Sequence, residues 1–467
     1  MQVKTRFSPS PTGIFHIGGA RTALYSWLFA KRYNGKFLLR IEDTDINRSN
    51  SLYNNSIMKG LKWLNLNWDE GPYFQSSRLA RYNYIIKLML ENKMAYKCYC
   101  STERLLNLRK KQIILGKKPK YDEKCRNIPD DYYDSNLSHV VRFCNPKRGK
   151  VVFLDQVRGK IEFWNDELDD LIIKRSNGLP TYNFSVVIDD YDMKITHVLR
   201  GEEHINNTVR QINILQALEK EAPVYAHLST ILNHNGKKIS KRDKDSFFDV
   251  LEYKKLGFFP EAVVNYLLRL GWSHGNQEIF TIKEMKNFFS LKKITKSSSL
   301  FDKKKLLWIN KRYMNILSKS DIINELKNFY LKQTIDINNG PNIKQVFDLM
   351  KNRCSTLTDI VESSRFFYEE LVIDYKKLKD HINIKNIFVL KFLLKKIIFL
   401  NDWTVEQLSK LLKFCSFQLG ISFNTVGKII RLSLTGKEHA PCITSILYLL
   451  GKKKCILRIK NSIKIFE

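Results

Sequence analysis

Val3-Lys4-Thr5-Arg6-Phe7-Ser8-Pro9-Ser10-Pro11-Thr12-Gly13-Ile14-Phe15-His16-Ile17-Gly18-Gly19 lies at the start of the chain and decides its fold class. Val3 to Phe7 reads as a short strand, which Pro9, Pro11 and Gly13 break into a turn-rich loop. A helix is expected from about Gly18 to Arg32, with Ala23, Leu24, Trp27, Leu28 and Ala30 supplying most of its apolar residues. Asn34-Gly35 stops it, as a pair tolerant of positive φ should. Lys36 to Glu42 is a second strand, largely apolar, as parallel strands buried on both faces are. Strand, helix and strand make a βαβ unit. Open parallel sheets bind ligands beyond the carboxyl ends of their strands. Arg6 and Glu42 lie at or near those ends. His16 lies just before a helix N-terminus, where free N–H groups and the helix dipole favour a phosphate. Alone, the Pro9–Gly19 stretch reads better as an ordinary strand-to-helix loop, and only a second motif further along the chain reverses that.

The sheet pattern resumes after a long gap. Phe184 to Asp190 and Thr196 to Arg200 read as strands, followed by the charged turn Gly201-Glu202-Glu203-His204. A helix is expected over about Ile205 to Glu219, and Val224 to Leu228 gives a further strand. A basic segment, Lys238-Ile239-Ser240-Lys241-Arg242, lies on the loop beyond it. The expected fold is therefore α/β: a doubly wound, Rossmann-like parallel-sheet domain in two halves, residues 1–78 and 184–242. The insertion between them, 79–183, is expected to have its own small fold. After 242 the chain turns helical. Pro260 suits a first helical turn and Gly271 ends the run Ala262 to Leu270. Thr281 with Glu284, and Thr404 with Gln407, have capping-box spacing. Leu408, Leu411, Leu412 and Cys415 mark one helix face, for which core packing is the reading. Residues 243–314 form a connecting region and 315–467 an all-α C-terminal module.

With 467 residues the chain has room for two to four domains. Its net charge of +32 suggests a polyanionic partner such as nucleic acid. Richness in Lys, Ile and Asn, as an AT-biased genome gives, is the competing account of part of that charge. No secretory signal is expected, because Met1 is followed by polar residues and the first strand. No membrane helix is expected either: Ile387 to Leu400 is too short and carries Lys391, Lys395 and Lys396. Eight cysteines in a chain this long do not make a disulfide framework, and a reduced, cytoplasmic protein fits.

The Pro9–Gly19 segment resembles the HIGH motif of class I aminoacyl-tRNA synthetases, and Lys238-Ile239-Ser240-Lys241-Arg242 resembles their KMSKS motif. Flanking residues narrow the likeness to the bacterial-type glutamyl-tRNA synthetase family. They are Arg6 to Gly13, Gly18-Gly19-Ala20-Arg21-Thr22-Ala23, Arg40-Ile41-Glu42-Asp43-Thr44-Asp45, Leu179-Pro180-Thr181-Tyr182-Asn183, Arg200-Gly201-Glu202 and Gly271-Trp272-Ser273. The resemblance implies activation of L-glutamate with ATP and Mg²⁺ to glutamyl-adenylate. The glutamyl group then passes to the 3′-terminal adenosine of tRNA(Glu), and bound tRNA is needed even for activation. It implies catalytic roles for His16, Lys238, Ser240 and Lys241, with Lys241 the principal lysine on ATP. Gly13, His16, Gly18 and Lys241 would bind ATP. Arg6, Ser8, Ser10, Glu42, Tyr182 and Arg200 would hold glutamate, the arginines taking a carboxylate and Glu42 the ammonium. A structural ion pair of Arg200 with Glu202 or Glu203 is the other reading of that arginine. The insertion would meet the acceptor end, 243–314 the tRNA stem, and 315–467 the anticodon. Arg353 would favour tRNA(Glu) over tRNA(Gln). A monomer without membrane partners is expected.

One motif departs from the family. Cys98-Tyr99-Cys100 and Cys125 look like part of the Zn²⁺ site of some members, but the usual histidine ligand is replaced by Asn127. Tyr121, Asp122, Cys144 or His139 completing the site, a three-thiolate site closed by water, and a site without metal all stay open. Four rivals to the main reading also stand: a truncated relative acting on a modified tRNA nucleoside, a glutaminyl enzyme, a retired scaffold that binds RNA, and a glutamyl enzyme that charges both tRNAs. Length opposes the first, the helical patterns after 315 the second, and the presence of His16, Lys241 and Arg6 the third.

Overall fold

The computed structural model describes residues 2–44, 51–129, 132, 137–233, 235–238, 248–370 and 387–465. Asp45, Ser240, Lys241 and Arg242 lie outside these residues. The chain divides into two compact units: residues 1–254 with 263–303, and residues 255–262 with 304–467.

The first unit is built on β1 (Lys4–Phe7), α1 (Ile17–Arg32) and β2 (Lys36–Ile41). His16 caps α1, and Lys31 and Arg32 place positive charge in its last turn, where the dipole favours it. Asn34 has φ 50°, and Gly35 meets a different demand: a Cβ there would collide with the backbone carbonyl of Val3. That carbonyl accepts a hydrogen bond from Lys36 N at 2.9 Å, so the close approach is part of the sheet. Gly35→Ala is expected to destabilise this unit by about 1–3 kcal/mol, measured as a lowered denaturant midpoint.

After α2 (Ser51–Trp63) comes β3 (Glu70–Phe74), which the sequence does not announce because Gly71 and Pro72 interrupt it. It pairs only with β2 and is a sheet edge, where proline is tolerated. Next are α3 (Leu79–Glu91), β4 (Ala95–Cys98), α4 (Thr102–Ile114), β5 (Val140–Phe143), β6 (Lys150–Asp155), β7 (Gly159–Trp164) and β8 (Ile172–Lys174). The expected strand at Phe184 to Asp190 is instead inside α5 (Tyr182–Asp192). All seven of those residues are buried, so apolar and small side chains run without a break from Phe184 to Ile188, two buried aspartates follow, and the helical period is hidden. β9 (His197–Gly201), α6 (Ile205–Ala217) and β10 (Val224–Leu228) complete the half.

The main sheet has five strands in the order β10-β9-β1-β2-β3, all pairs parallel. The 79–183 segment adds an antiparallel sheet, β4-β5-β8, and the hairpin β6-β7. Tyr96, Cys98, Tyr121 and Cys125 form a small buried cluster of the segment's own, while its larger apolar side chains are shared with the catalytic half. Tyr82, Ile86, Val141, Phe143 and Ile173 pack in one cluster with Phe184, Val187 and Ile188 of α5 and Ile214 and Leu215 of α6.

A short parallel pair, β11 (Ile231–Leu232) and β12 (Ser299–Leu300), brackets α7 (Val250–Lys255), α8 (Pro260–Arg269) and α9 (Ile282–Phe288). Gly271 has φ 97° and ends the run through α8. Thr281 and Glu284 form a full capping box: Thr281 accepts from Glu284 N at 3.2 Å, and the Glu284 carboxylate accepts from Thr281 N at 2.7 Å. Tyr25 of α1 donates to the carbonyls of Leu268 and Leu270 at 3.0 and 2.9 Å, which anchors α1.

Among its described residues the second unit is helical: Lys303–Ile316, Lys319–Lys332, Ile343–Met350, Leu357–Ser364, Ile387–Ile398, Val405–Leu419, Phe423–Thr435 and Ile443–Lys464. Gly451, at φ 79°, breaks the last. Thr404 caps its helix by accepting from Gln407 N at 3.3 Å, and of the expected face Leu408, Leu412 and Cys415 are buried while Leu411 is half-buried. Among the described residues no helix is long and apolar enough to cross a membrane.

Candidate active site

Arg6 ends β1 but one residue, Glu42 follows β2, Arg200 lies near the end of β9, and Ser229 follows β10. All four line one cavity of about 360 Å³ at the carboxyl edge of the sheet. His16, Gly13, Gly18, Ser8, Ser10, Tyr182 and Lys238 line it too. Residues far apart in sequence are brought together because parallel strands all end on the same edge.

His16 shows how α1 begins. Its Nδ1 accepts from the backbone N–H of Gly18 at 3.1 Å and of Gly19 at 3.3 Å. In the neutral ring that fixes the tautomer, with the proton on Nε2. The helix therefore uses Nδ1 of the imidazole as its cap, which places the ring proton on Nε2. Gly18 accommodates this arrangement, since a Cβ there would lie 3.0 Å from the imidazole.

Arg6 and Arg200 are both buried, yet differently held. Arg6 Nε meets the Asp190 carboxylate at 3.2 and 3.3 Å, and Nη1 donates to the Leu199 carbonyl at 3.4 Å. Asp190 also takes Arg40 Nη1 at 2.8 Å. Burial alone would raise Asp190, but Arg6 and Arg40 more than reverse that and hold it below the usual carboxylate range. Arg200 makes no ion pair with Glu202 or Glu203: Glu202 pairs with Arg158, and Glu203 with Lys238 at 3.5 Å. Its Nη2 donates to Thr208 Oγ1 at 2.6 Å and Gln211 Oε1 at 2.8 Å, while Nη1 is buried without a partner among the described residues. The Ser8 hydroxyl is likewise buried and unpartnered. Unmet donors on a cavity wall call for an acceptor inside it.

Glu42 faces the same cavity. Burial pushes its carboxyl up to about 7, against the pull of Arg40 and Arg6. Tyr182, also pushed up to about 12 by burial, meets His204 Nδ1 at 3.3 Å. His204 is driven down to about 4 by burial and by Arg200, so it is neutral at physiological pH. The chemistry of this space includes the guanidinium groups of Arg6, Arg21 and Arg200, the carboxyls of Glu42 and Glu203, and a helix N-terminus with an imidazole: a set suited to a small zwitterion carrying an extra carboxylate, beside a phosphate site.

Ser10 is exposed at the rim and Lys238 lines the cavity. Arg353 is far along the chain, exposed in the turn after Ile343–Met350, with its N–H on the Met350 carbonyl at 2.8 Å. The sequence reading gave no role to Asp190, which lay hidden in the supposed strand, or to Arg21. Arg21 is buried at the cavity wall with Nη1 on the Leu270 carbonyl at 3.0 Å. Its place in the Gly18–Ala23 motif was the available signal.

A second cluster sits at the end of β4. The sulfurs of Cys98, Cys100 and Cys125 lie within 4.8 Å of one another, and among the described residues no other His, Cys, Asp or Glu joins them. The Tyr121 hydroxyl does: it is 3.3 Å from Cys98 Sγ, 3.5 Å from Cys100 Sγ, and accepts from Cys125 N at 3.0 Å. Asp122 is engaged by Arg104, the His139 ring lies 5.3 Å from Tyr99 at a tilt of 47°, and Asn127 is exposed.

Comparison with known proteins gives this geometry its context. A model of the catalytic domain of class I tRNA synthetases (E and Q) matches residues 2–308, and an anticodon-binding domain model matches residues 321–463. A glutamate–tRNA ligase from Buchnera aphidicola subsp. Acyrthosiphon pisum is 52% identical over 462 residues, covering 99% of this chain and 98% of that protein. One from Wigglesworthia glossinidia brevipalpis is 50% identical over 466 residues, covering 99% and 98%. The crystal structure of a glutamate tRNA ligase from Elizabethkingia meningosepticum in complex with its amino acid superposes with a TM-score of 0.87 at 32% identity, covering 99% of both chains. An arginine-lined cavity at the sheet edge, a helical second unit and these full-length likenesses agree that the chain belongs to the glutamate–tRNA ligase family of class I tRNA synthetases.

Proposed function

We infer that the chain joins L-glutamate to the 3′-terminal adenosine of tRNA(Glu), using ATP with Mg²⁺. The observation that carries this reading is the convergence of Arg6, Arg200 and Glu42 on one cavity beside the His16-capped helix. In the first step a glutamate carboxylate oxygen attacks the α-phosphorus and the bond to pyrophosphate breaks. Arg6 and Arg200 hold the side-chain carboxylate, and Glu42 takes the ammonium. His16 Nε2–H donates to a phosphate oxygen as charge builds there. Lys238 and Lys241 neutralise the departing pyrophosphate. In the second step a ribose hydroxyl attacks the acyl carbon and AMP leaves, so no side-chain nucleophile is required. Positioning and charge stabilisation supply the catalysis.

Residues 79–183 are proposed to receive the acceptor end. Arg109, Lys110 and Lys111 lie on the exposed side of α4, which has no buried residue, whereas Arg104 and Arg126 are tied into ion pairs with Asp122 and Asp170. Residues 243–314 are proposed to contact the stem and 315–467 the anticodon, with exposed Arg353 favouring tRNA(Glu). A tRNA substrate and eight free cysteines fit a cytoplasmic enzyme.

ATP–pyrophosphate exchange tests the reading. Exchange with glutamate only when tRNA is present is expected. Exchange with glutamine overturns the pocket assignment, and no exchange under any condition favours the retired scaffold.

The pH dependence has a definite sign. In the empty site Glu42 titrates near 7 because it is buried. A bound ammonium favours the anion, so glutamate binding releases a proton. KM for glutamate should be flat above about pH 7 and rise as pH falls below it, toward tenfold per unit. A KM independent of pH from 6 to 8 would remove Glu42 from the ammonium site.

Zinc fits the cysteine cluster. Three thiolates and the Tyr121 phenol suit the tetrahedral preference of Zn²⁺, which would clamp β4 to the 121–125 turn. Purified protein is expected to carry about one zinc per chain by elemental mass spectrometry, and Tyr121→Phe to lose it sooner to a chelator. A zinc-free wild type would discard this site.

A further inference from the structure

Arg200 is held from behind by residues to which the reaction assigns nothing. Its Nε donates to His227 Nε2 at 3.3 Å. His227, fully buried on β10, approaches Asp155 Oδ2 with Nδ1 at 2.6 Å. Asp155 ends β6, in the hairpin of the inserted segment, and is itself fully buried. It accepts from the backbone N–H of His227 at 3.1 Å, of Val157 at 2.9 Å and of Arg158 at 2.8 Å.

The proton positions follow from what each group is able to do. A guanidinium N–H only donates, so His227 Nε2 accepts. The ring proton then sits on Nδ1 and is given to Asp155. Burial pulls His227 below its ordinary value despite Asp155, which keeps the ring neutral. Thr208 Oγ1, 2.8 Å from Nε2, and Gln211 take the Nη2 side. Among the described residues every donor of Arg200 on the protein side is thereby engaged, and Nη1 alone is left buried and unpartnered on a residue that lines the cavity. The arrangement has a polarity: an acid, an oriented imidazole, and a guanidinium whose remaining N–H edge is committed to substrate.

We propose that Asp155 and His227 are positioning residues for glutamate binding, holding Arg200 by its Nε so that Nη1 is presented to the substrate carboxylate. The proposal rests on Arg200 being a glutamate ligand. It also ties the amino-acid pocket to the inserted hairpin, because Asp155 is anchored in β6.

Asp155→Asn is the sharpest probe. An amide in that place is able to donate to Nδ1, which reverses the imidazole tautomer and turns Nε2–H against the Arg200 Nε–H. His227→Leu removes the acceptor, while His227→Gln keeps an acceptor for Arg200 and a donor for Asp155. Steady-state aminoacylation and melting temperature are measured for all three, with Arg200→Gln in parallel. D155N and H227L are expected to raise KM for glutamate about ten- to hundredfold, the scale of hydrogen bonds to charged groups, with KM for ATP unchanged. H227Q should recover most of the loss. A purely structural role predicts a lowered melting temperature and parallel changes for ATP and glutamate, and H227Q no better than H227L; that result overturns the proposal. If D155N fails to fold, the comparison of H227Q with H227L decides alone. If R200Q leaves KM for glutamate unchanged, the ligand assignment falls and the proposal with it. If R200Q raises it while D155N and H227L do not, only the positioning role falls.

Discussion

Arg6→Gln is expected to lower kcat/KM for glutamate by two to four orders of magnitude, with KM for ATP little changed. Two losses combine. The substrate carboxylate loses a cation in a buried cavity, and Asp190 loses one of its two arginine partners. Removing one member of a buried charge pair costs about 3–5 kcal/mol. Arg6→Lys is expected to fall between wild type and R6Q. Its single ammonium is unable both to reach Asp190 and to offer a planar edge to a carboxylate. The two losses are separable. In the double variant R6Q with Asp190→Asn the carboxylate left with Arg40 alone is gone, so the melting temperature should recover while KM for glutamate stays high. Exchange kinetics across a glutamate series, alongside thermal melts, read both quantities. A double variant that regained glutamate affinity would show that Arg6 serves only to balance Asp190.

His16→Ala should show the next largest effect, in two quantities of different origin. Loss of the Nε2–H donor on phosphate should lower kcat by about 10²–10³. Loss of the cap on Gly18 and Gly19 should lower stability by about 0.5–2 kcal/mol. His16→Asn separates them. Asparagine is among the best helix caps, so stability should be retained. Its amide does not extend to the position of the imidazole Nε2, so kcat should remain low. If H16N restored both, His16 would be a structural residue and the phosphate contact would have to come from elsewhere.

The βαβ unit was legible because its signals are local: paired prolines, an amphipathic run, then Asn34-Gly35. The details differ from the expectation in an instructive way. Asn34 takes the positive φ, and Gly35 is needed because a backbone carbonyl passes where its Cβ would be. Two elements were not legible. α5 looked like a strand because it is buried on all sides, which erases helical periodicity. β3 went unseen because Gly71 and Pro72 occupy an edge, where strand propensity is not demanded. The cavity shows the same division. Arg6, His16, Glu42, Tyr182 and Arg200 sit in or beside motifs with family spacing, and they line one space. Asp190 and His227 touch Arg6 and Arg200, and Asp155 touches His227, from other parts of the chain, Arg6 and Asp190 being 184 positions apart. No local pattern records such a partnership; it exists only once the sheet has assembled.

The cluster shared by the inserted strands with α5 and α6 bears on how this chain is able to change over time. A loop-borne module that owns its core can be deleted, swapped or tuned without reference to its host. Here the side chains that would have to change in such an exchange, Val141, Phe143 and Ile173, press on Phe184, Val187 and Ile188, and the same α5 carries Asp190 under Arg6. Substitutions at these shared positions are therefore heritable only with compensation across the boundary. A chimaera joining this insertion to a foreign catalytic half would need α5 and α6 transplanted with it.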